Sequence, residues 1–260
     1  MPDLDALLRR IGSHAGASLA DLHRAYVTAI PFDDLTIQLG EQAPLDRDAI
    51  ARRLIEGGGR GGYCFEVNDV LGWLLEQLGH DVRRYRAVVG PRGVEAPVNH
   101  LALIVDGEWL AEAGYGEGPL EPLALRSGRQ DGWLLEPDGD DGWWVGDERP
   151  WTSGDGFTIL PGEVGMDAFD EPHARLSTSE DSSFVQTLVV QQPQGDRVAT
   201  LRARTFSVRG PAVDERRVLA DVQDLDATLR GAFGIELDAA RAARLWDAAC
   251  AQHEAFLKRS

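Results

Sequence analysis

The hydrophobic period of this chain changes once, near residue 82, and that change restricts the fold more than any other feature. Before it, apolar residues recur at helical spacing: Leu4, Leu7, Leu8 and Ile11, then Leu22, Ala25, Tyr26 and Ile30 ahead of Pro31, then Ile50, Leu54 and Ile55 ahead of Gly57. After it come short alternating segments, YRAVV, HLALIV, EWLAEA, GWLLEP and GWWVG, punctuated by Asp-Gly and Pro as far as about Phe157. A less regular stretch to Ser183 leads to TLVVQ and ATLRARTFSV, which predict a hairpin turning over Pro193 to Asp196, and two helical patterns close the chain. Helices, then antiparallel strands, then a mixed lobe predict an α+β fold: a helical bundle over residues 1–81, a β-domain over 82–184 and a smaller α/β unit over 185–260.

The formal charge of −17 argues against nucleic-acid and anionic-membrane partners, because both require clustered Lys and Arg. The start MPDLDALLRR has no apolar segment behind a basic one, and nowhere do roughly eighteen apolar residues run together, so the expected location is the cytoplasm. Between Asp131 and Asp155 lie eight acids and a single base, Arg149, which predicts a solvated rim of turns. Cys64 and Cys250 are 186 positions apart and are expected to be free thiols, Cys250 packed on the face of the last helix.

Cys64 stands out by its setting, GGGRGGYCFEVN at 57–68. Phe65, Leu71, Leu74, Leu75 and Leu78 form a helical stripe that ends at Gly79, which places Cys64 at a helix N-terminus, where free N–H groups and the macrodipole lower a thiol pKa. The glycines before it are expected to turn the backbone sharply and leave the sulfur open to substrate. A thiol nucleophile needs a base, and of the six histidines His100 has the most telling position. It opens the strand HLALIV, and across an Asp106-Gly107 turn EWLAEAGYG brings Glu112 back towards it. Cys64, His100 and Glu112 then form the cysteine, histidine and orienting acid of thiol acyl transfer. No metal is implied, since these residues have no ligand spacing.

RGGYCFEVN at 60–68 resembles the active-site segment of the arylamine N-acetyltransferases. IPFDDL at 30–35 resembles that family's Ile-Pro-Phe-Glu-Asn-Leu, HLALIV with EWLAEAGYG resembles its His strand and Asp-Val-Gly-Phe-Gly strand, and LSTSEDSSFVQTLVVQ at 176–191 resembles its late Leu-Ser-Thr segment. The resemblance implies a helical bundle, a β-barrel-like domain and a C-terminal α/β lid, with a cysteine-protease-like core between the first two. Cys64 matches the nucleophile, His100 the base and Glu112 the orienting aspartate; Arg60 and Asp33 match a structural pair bracing the cysteine loop. Phe32, Tyr63 and Tyr115 are expected to contact substrate, and Gly116 and Gly118 to approach the acyl donor. The implied chemistry moves an acetyl group from acetyl-CoA, a co-substrate rather than a bound cofactor, to a small arylamine or hydrazine.

Two departures carry expectations of their own. With a two-residue Asp106-Gly107 turn, Glu112 would face away from His100, so a three-residue loop or a bulge is predicted. Glu117 lies where a carboxylate would repel a coenzyme A pyrophosphate, so either it turns outward or the donor is not free coenzyme A. A rival reading comes from relatives acting on carrier-protein-bound polyketide thioesters, as macrolactam amide synthases or Dieckmann-type cyclases, with RRYR at 83–86 as the basic patch for an acidic carrier protein. A second rival is an inactive homologue serving as a binding module.

Overall fold

The computed structural model describes residues 1–259. Its N-terminal part holds helices α1 (Leu4–Ile11), α2 (Leu19–Ala29), α3 (Leu35–Gln38), α4 (Arg47–Glu56) and α5 (Cys64–Gln77), with a two-residue strand β1 (Phe32–Asp33) between α2 and α3. Asp3, Ser18 and Asp46 cap α1, α2 and α4 by accepting the N–H groups of Ala6, Asp21 and Ala49, which satisfies donors the helices leave free. Helix α5 is buried along its first twelve residues, Cys64 to Leu75, so it is the rod on which the other layers pack.

The β-domain comprises β2 (Val82–Val89), β3 (His100–Val105), β4 (Trp109–Ala111), β5 (Leu123–Ala124), β6 (Gly128–Gln130), β7 (Trp133–Asp138), β8 (Gly142–Asp147) and β9 (Gly156–Glu163). They form one antiparallel sheet in the order β5-β4-β3-β2-β9-β8-β7-β6. Its edges are drawn together by a side chain. Gln130 on β6 donates to the Ala124 carbonyl at 2.7 Å and accepts the Ala124 amide at 2.8 Å, imitating a strand pair. The sheet is thereby a near-closed barrel around Trp133, Leu135, Val145 and Phe157, and the usual liability of open edges is reduced.

A 3₁₀ turn at Met166–Phe169 and helices α6 (Asp170–Thr178) and α7 (Ser183–Gln186) follow. Phe169 and Leu176 join the core of the N-terminal helices, so this stretch packs with the first bundle rather than with the strands it follows in sequence. Strands β10 (Val189–Gln194), β11 (Arg197–Arg202), β12 (Thr205–Gly210) and β13 (Val213–Val218) precede helices α8 (Val222–Phe233) and α9 (Ala239–Arg259). ATLRARTFSV is therefore two strands, not one: Ala203 and Arg204 make the turn between β11 and β12, and Ala203 takes the left-handed region at φ 47°. No Gly, Pro or Asn signals that turn in the sequence. The sheet order is β1-β10-β11-β12-β13, so a strand of the helical part forms the edge of the C-terminal sheet, with Phe32 opposite Gln191 and Asp33 opposite Val190. Among the described residues no helix is long and apolar enough to cross a membrane.

Candidate active site

Cys64 is the first residue of α5 and is 2 % exposed. The helix start is held by Glu66, which accepts the Tyr63 amide at 3.2 Å and pairs with Arg53 at 2.9 Å. The loop before it is sewn to β1: Asp33 donates its amide to the Gly62 carbonyl at 3.0 Å, and its Oδ2 accepts the Gly61 amide at 2.6 Å. A Cβ on Gly61 would fall on the Pro31 carbonyl, so the glycine serves close backbone approach, not access to the sulfur. The expected Arg60–Asp33 ion pair is replaced by one between Arg60 and Glu41 at 3.0 Å. Asp33 already accepts two amides, those of Gly61 and Leu35, and so braces the loop through its backbone.

His100, the first residue of β3, and Glu112, just past β4, meet through Nε2 and Oε2 at 2.8 Å and are 1 % and 0 % exposed. Val105 faces Trp109 and Leu103 faces Ala111, so Asp106, Gly107 and Glu108 form a three-residue loop. Asp106 and Gly107 both have positive φ, 54° and 68°, and the Glu108 amide closes the loop on the Val105 carbonyl at 3.1 Å. That register puts Glu112 on the same side of the ladder as His100.

Asn68, one helical turn after Cys64, ties the pieces together. Its Nδ2 donates to the Leu101 carbonyl at 2.7 Å and to Glu112 Oε1 at 2.9 Å, and its Oδ1 accepts the Ala113 amide at 3.0 Å. The same Glu112 Oε1 also accepts the Gly114 amide at 2.6 Å. Three donors, from His100, Asn68 and Gly114, thus converge on the carboxylate and hold it rigid. Gly114 lies against Cys64: an added Cβ would be 2.7 Å from Cys64 Cα and 2.9 Å from Asn68 Nδ2. Asn68 was legible as the i+4 neighbour of Cys64 on one helix face. His23, whose Nε2 accepts the Glu112 amide at 2.9 Å, had no signal beyond its place on the buried face of α2.

The thiol itself differs from expectation. Cys64 Sγ donates to the Asn99 carbonyl at 3.4 Å, and Cys64 and His100 make no hydrogen bond among the described residues. Burial, with the Glu112 charge second, pushes the thiol well above its ordinary pKa, while the amides of Phe65 and Cys64 act in the opposite direction. At this helix N-terminus the upward push of desolvation outweighs the pull of the helix amides.

The expected substrate contacts are mostly engaged elsewhere. Tyr63 is fully buried, its hydroxyl hydrogen-bonded to His173 Nδ1, while His173 Nε2 donates to the Ala43 carbonyl at 2.8 Å. Phe32 packs 6.0 Å from Phe184, and Tyr115 turns into the barrel between Trp133 at 5.5 Å and Phe157 at 5.6 Å. Gly116 abuts the Gln191 side chain, and Gly118 lies over the Glu112 carbonyl. Glu117 does not turn outward: it is 6 % exposed, and its carboxylate accepts the Ser153 amide at 2.8 Å and hydroxyl at 3.0 Å. Arg149, the lone base of the acidic stretch, is not on a solvated rim. It bonds the Glu117 carbonyl, pairs with Asp147 at 2.7 Å and lies 4.6 Å over Trp133. Glu117 and Ser153 border a cavity of about 600 Å³ that also exposes Arg202, Arg209 and Arg216.

An α+β scaffold that sets a helix-N-terminal cysteine beside a buried imidazole–carboxylate pair, each from a different element, defines a protein built for thiol-based group transfer. A family model described as N-acetyltransferase matches residues 17–242. The arylamine N-acetyltransferase of Mycolicibacterium smegmatis is 34 % identical over 90 % of this chain and 92 % of its own. The crystal structure of Nocardia farcinica arylamine N-acetyltransferase superposes with a TM-score of 0.83 at 27 % identity, covering 94 % of this chain and 93 % of that one. That of the Mycobacterium marinum enzyme in complex with CoA does so at 0.84 and 26 %, covering 95 % and 98 %. The chain belongs to the arylamine N-acetyltransferase family.

Proposed function

We propose that the protein transfers an acetyl group from acetyl-CoA through a Cys64 thioester to an arylamine or hydrazine, with Cys64, His100 and Glu112 as the triad. The observation that carries this reading is the 2.8 Å bond from His100 Nε2 to Glu112. A carboxylate only accepts, so Nε2 bears the proton and Nδ1 keeps a lone pair for the thiol proton. As Nδ1 takes that proton, Sγ attacks the thioester carbonyl, and the amides of Cys64 and Phe65 receive the developing oxyanion. Collapse breaks the bond to the coenzyme A sulfur, which leaves with the proton held by His100. The amine then attacks the acetyl-enzyme, passes a proton to His100 and frees the Cys64 thiol. Glu112 stabilises imidazolium in both half-reactions, which offsets the burial that otherwise favours the neutral thiol.

For the donor, Arg202 and Arg216 make no ion pair among the described residues, and Arg209 reaches Asp214 only at 3.7 Å. On a chain of charge −17 these are groups suited to phosphates. Glu117 borders the same cavity, with its carboxylate held by two Ser153 donors and faced by these arginines. The carrier-protein reading is left with Arg86 alone of its basic patch, because Arg83 pairs with Asp81 and Arg84 with Asp69 and Glu76. The inactive-homologue reading loses its main support where His100 and Glu112 meet.

Incubation with acetyl-CoA alone should add one acetyl group to the wild type, seen by mass, and none to Cys64→Ala. Loading from an N-acetylcysteamine polyketide thioester but not from acetyl-CoA would overturn the proposal.

A further inference from the structure

His23 on α2 is 0 % exposed and touches two backbone groups of one loop. The Glu112 amide donates to its Nε2 at 2.9 Å, and its Nδ1 bonds the Leu120 carbonyl at 3.0 Å. An amide can only donate and a carbonyl only accept, so the ring is neutral, with its proton on Nδ1 and a lone pair on Nε2. Burial lowers its pKa below the ordinary value, the direction that geometry requires. Glu112 lies one residue past the end of β4, where the strand ladder no longer serves its N–H. Without His23 that buried donor would be unpaired.

The same residue therefore has its side chain held by Asn68 and Gly114 and its main chain held by His23. The side-chain bonds fix where the oxygens point; the His23 bond fixes where the Cα from which they hang is placed. Since a displacement of ~1 Å costs a reacting group on the order of 100-fold, the main-chain anchor bears on the chemistry though it touches no reacting atom.

We propose that His23 is a positioning residue whose Nε2 lone pair sets the backbone of Glu112 and so keeps its carboxylate in register with His100. The consequence for rate rests on the acetyl-transfer reading; the consequence for the His100–Glu112 bond does not.

Three variants separate the possibilities. His23→Leu removes both contacts, His23→Gln places an amide oxygen near the position of Nε2, and His23→Asn places an amide donor near that of Nδ1. The readouts are the low-field proton signal of His100 Nε2–H in NMR and the single-turnover rate of acetylation by acetyl-CoA. His23→Leu should shift or abolish the signal and slow acetylation 10- to 100-fold, and His23→Gln should restore both to within several-fold of wild type, while His23→Asn should not. Should His23→Leu fail to fold, the comparison of Gln with Asn still decides. An Asn variant as good as or better than Gln, or an unchanged signal and rate in any folded variant lacking the Nε2 acceptor, would overturn the proposal. If wild type takes no acetyl group at all, the acetyl-transfer reading fails, and the NMR signal alone still tests the hold of His23 on Glu112.

Discussion

His100 and Glu112 meet at 2.8 Å because the hairpin between them turns through three residues rather than two. The side-chain period of a strand is two, so removal of one loop residue would send the carboxylate to the far face of the sheet. The pair is thus a property of loop length as much as of residue identity.

Replacing Glu112 by Gln tests the charge. Three donors, from His100, Asn68 and Gly114, converge on its two oxygens, and an amide offers only one acceptor atom. Glu112→Gln should slow acetylation by roughly 100- to 10,000-fold in a single-turnover mass assay. Glu112→Asp withdraws the carboxylate by about one methylene and should cost on the order of 100-fold. Wild-type rates in either would leave Cys64 and His100 as a dyad.

Gly114→Ala should damage stability and activity together. Its methyl group would press on the Cys64 backbone and on Asn68. Overpacking of this kind costs about 1 to 3 kcal/mol, readable by thermal or denaturant unfolding. An alanine variant with unaltered midpoint and unaltered acetylation would show that this contact relaxes at no cost.

Asp34 predicts a pH dependence. Its Oδ1 accepts the Val189 amide at 3.0 Å, but Oδ2 is buried without a hydrogen-bond partner among the described residues, and burial pushes the carboxyl well above its ordinary value. A group whose folded pKa exceeds its unfolded value holds its proton longer in the native state, so stability falls as pH rises from the unfolded pKa of about 4 towards the folded one. Asp34→Asn removes that titration. The unfolding midpoint of the variant relative to wild type should therefore increase from pH 5 to pH 8; a difference constant with pH would refute the assignment.

Tyr63→Phe should cost about 1 to 3 kcal/mol of stability, because it leaves His173 Nδ1 buried without its donor. The apparent KM for an arylamine should stay as it is, since the ring lies in the core. A KM raised several-fold at equal stability would return Tyr63 to the substrate pocket.

The sequence was most readable where chemistry and period coincide. Cys64 behind its glycines, His100 opening a strand and Glu112 on the return strand follow from spacing, and parity required either a longer loop or a bulge, of which the structure has the loop. What stayed hidden depends on long-range pairing. His23 and Glu112 are joined across the whole first bundle, Tyr63 and His173 across both large units, and Arg60 finds Glu41 only because Asp33 has been taken by amides. The turn at Ala203 and Arg204 was invisible because neither residue is a turn former, and the pairing of the adjacent strands imposes it. The raised thiol pKa was missed because burial, which a linear sequence does not display, outweighs the helix terminus.

The stitching of the loop before Cys64 to distant parts of the chain also sets an order in time. Phe32 and Asp33 complete their strand only against Gln191 and Val190, and the Gly58 carbonyl accepts the Glu236 amide at 2.6 Å. At roughly 5 to 20 residues per second, a ribosome reaches Glu236 roughly ten to thirty seconds after it has placed Cys64. Throughout that interval the nascent chain carries Cys64 on a loop that has its Asp33 bonds in reach but lacks the Glu236 tie at Gly58. A message cut short before the last two helices would encode Cys64, His100 and Glu112 and leave the Gly58 end of that loop without its Glu236 tie.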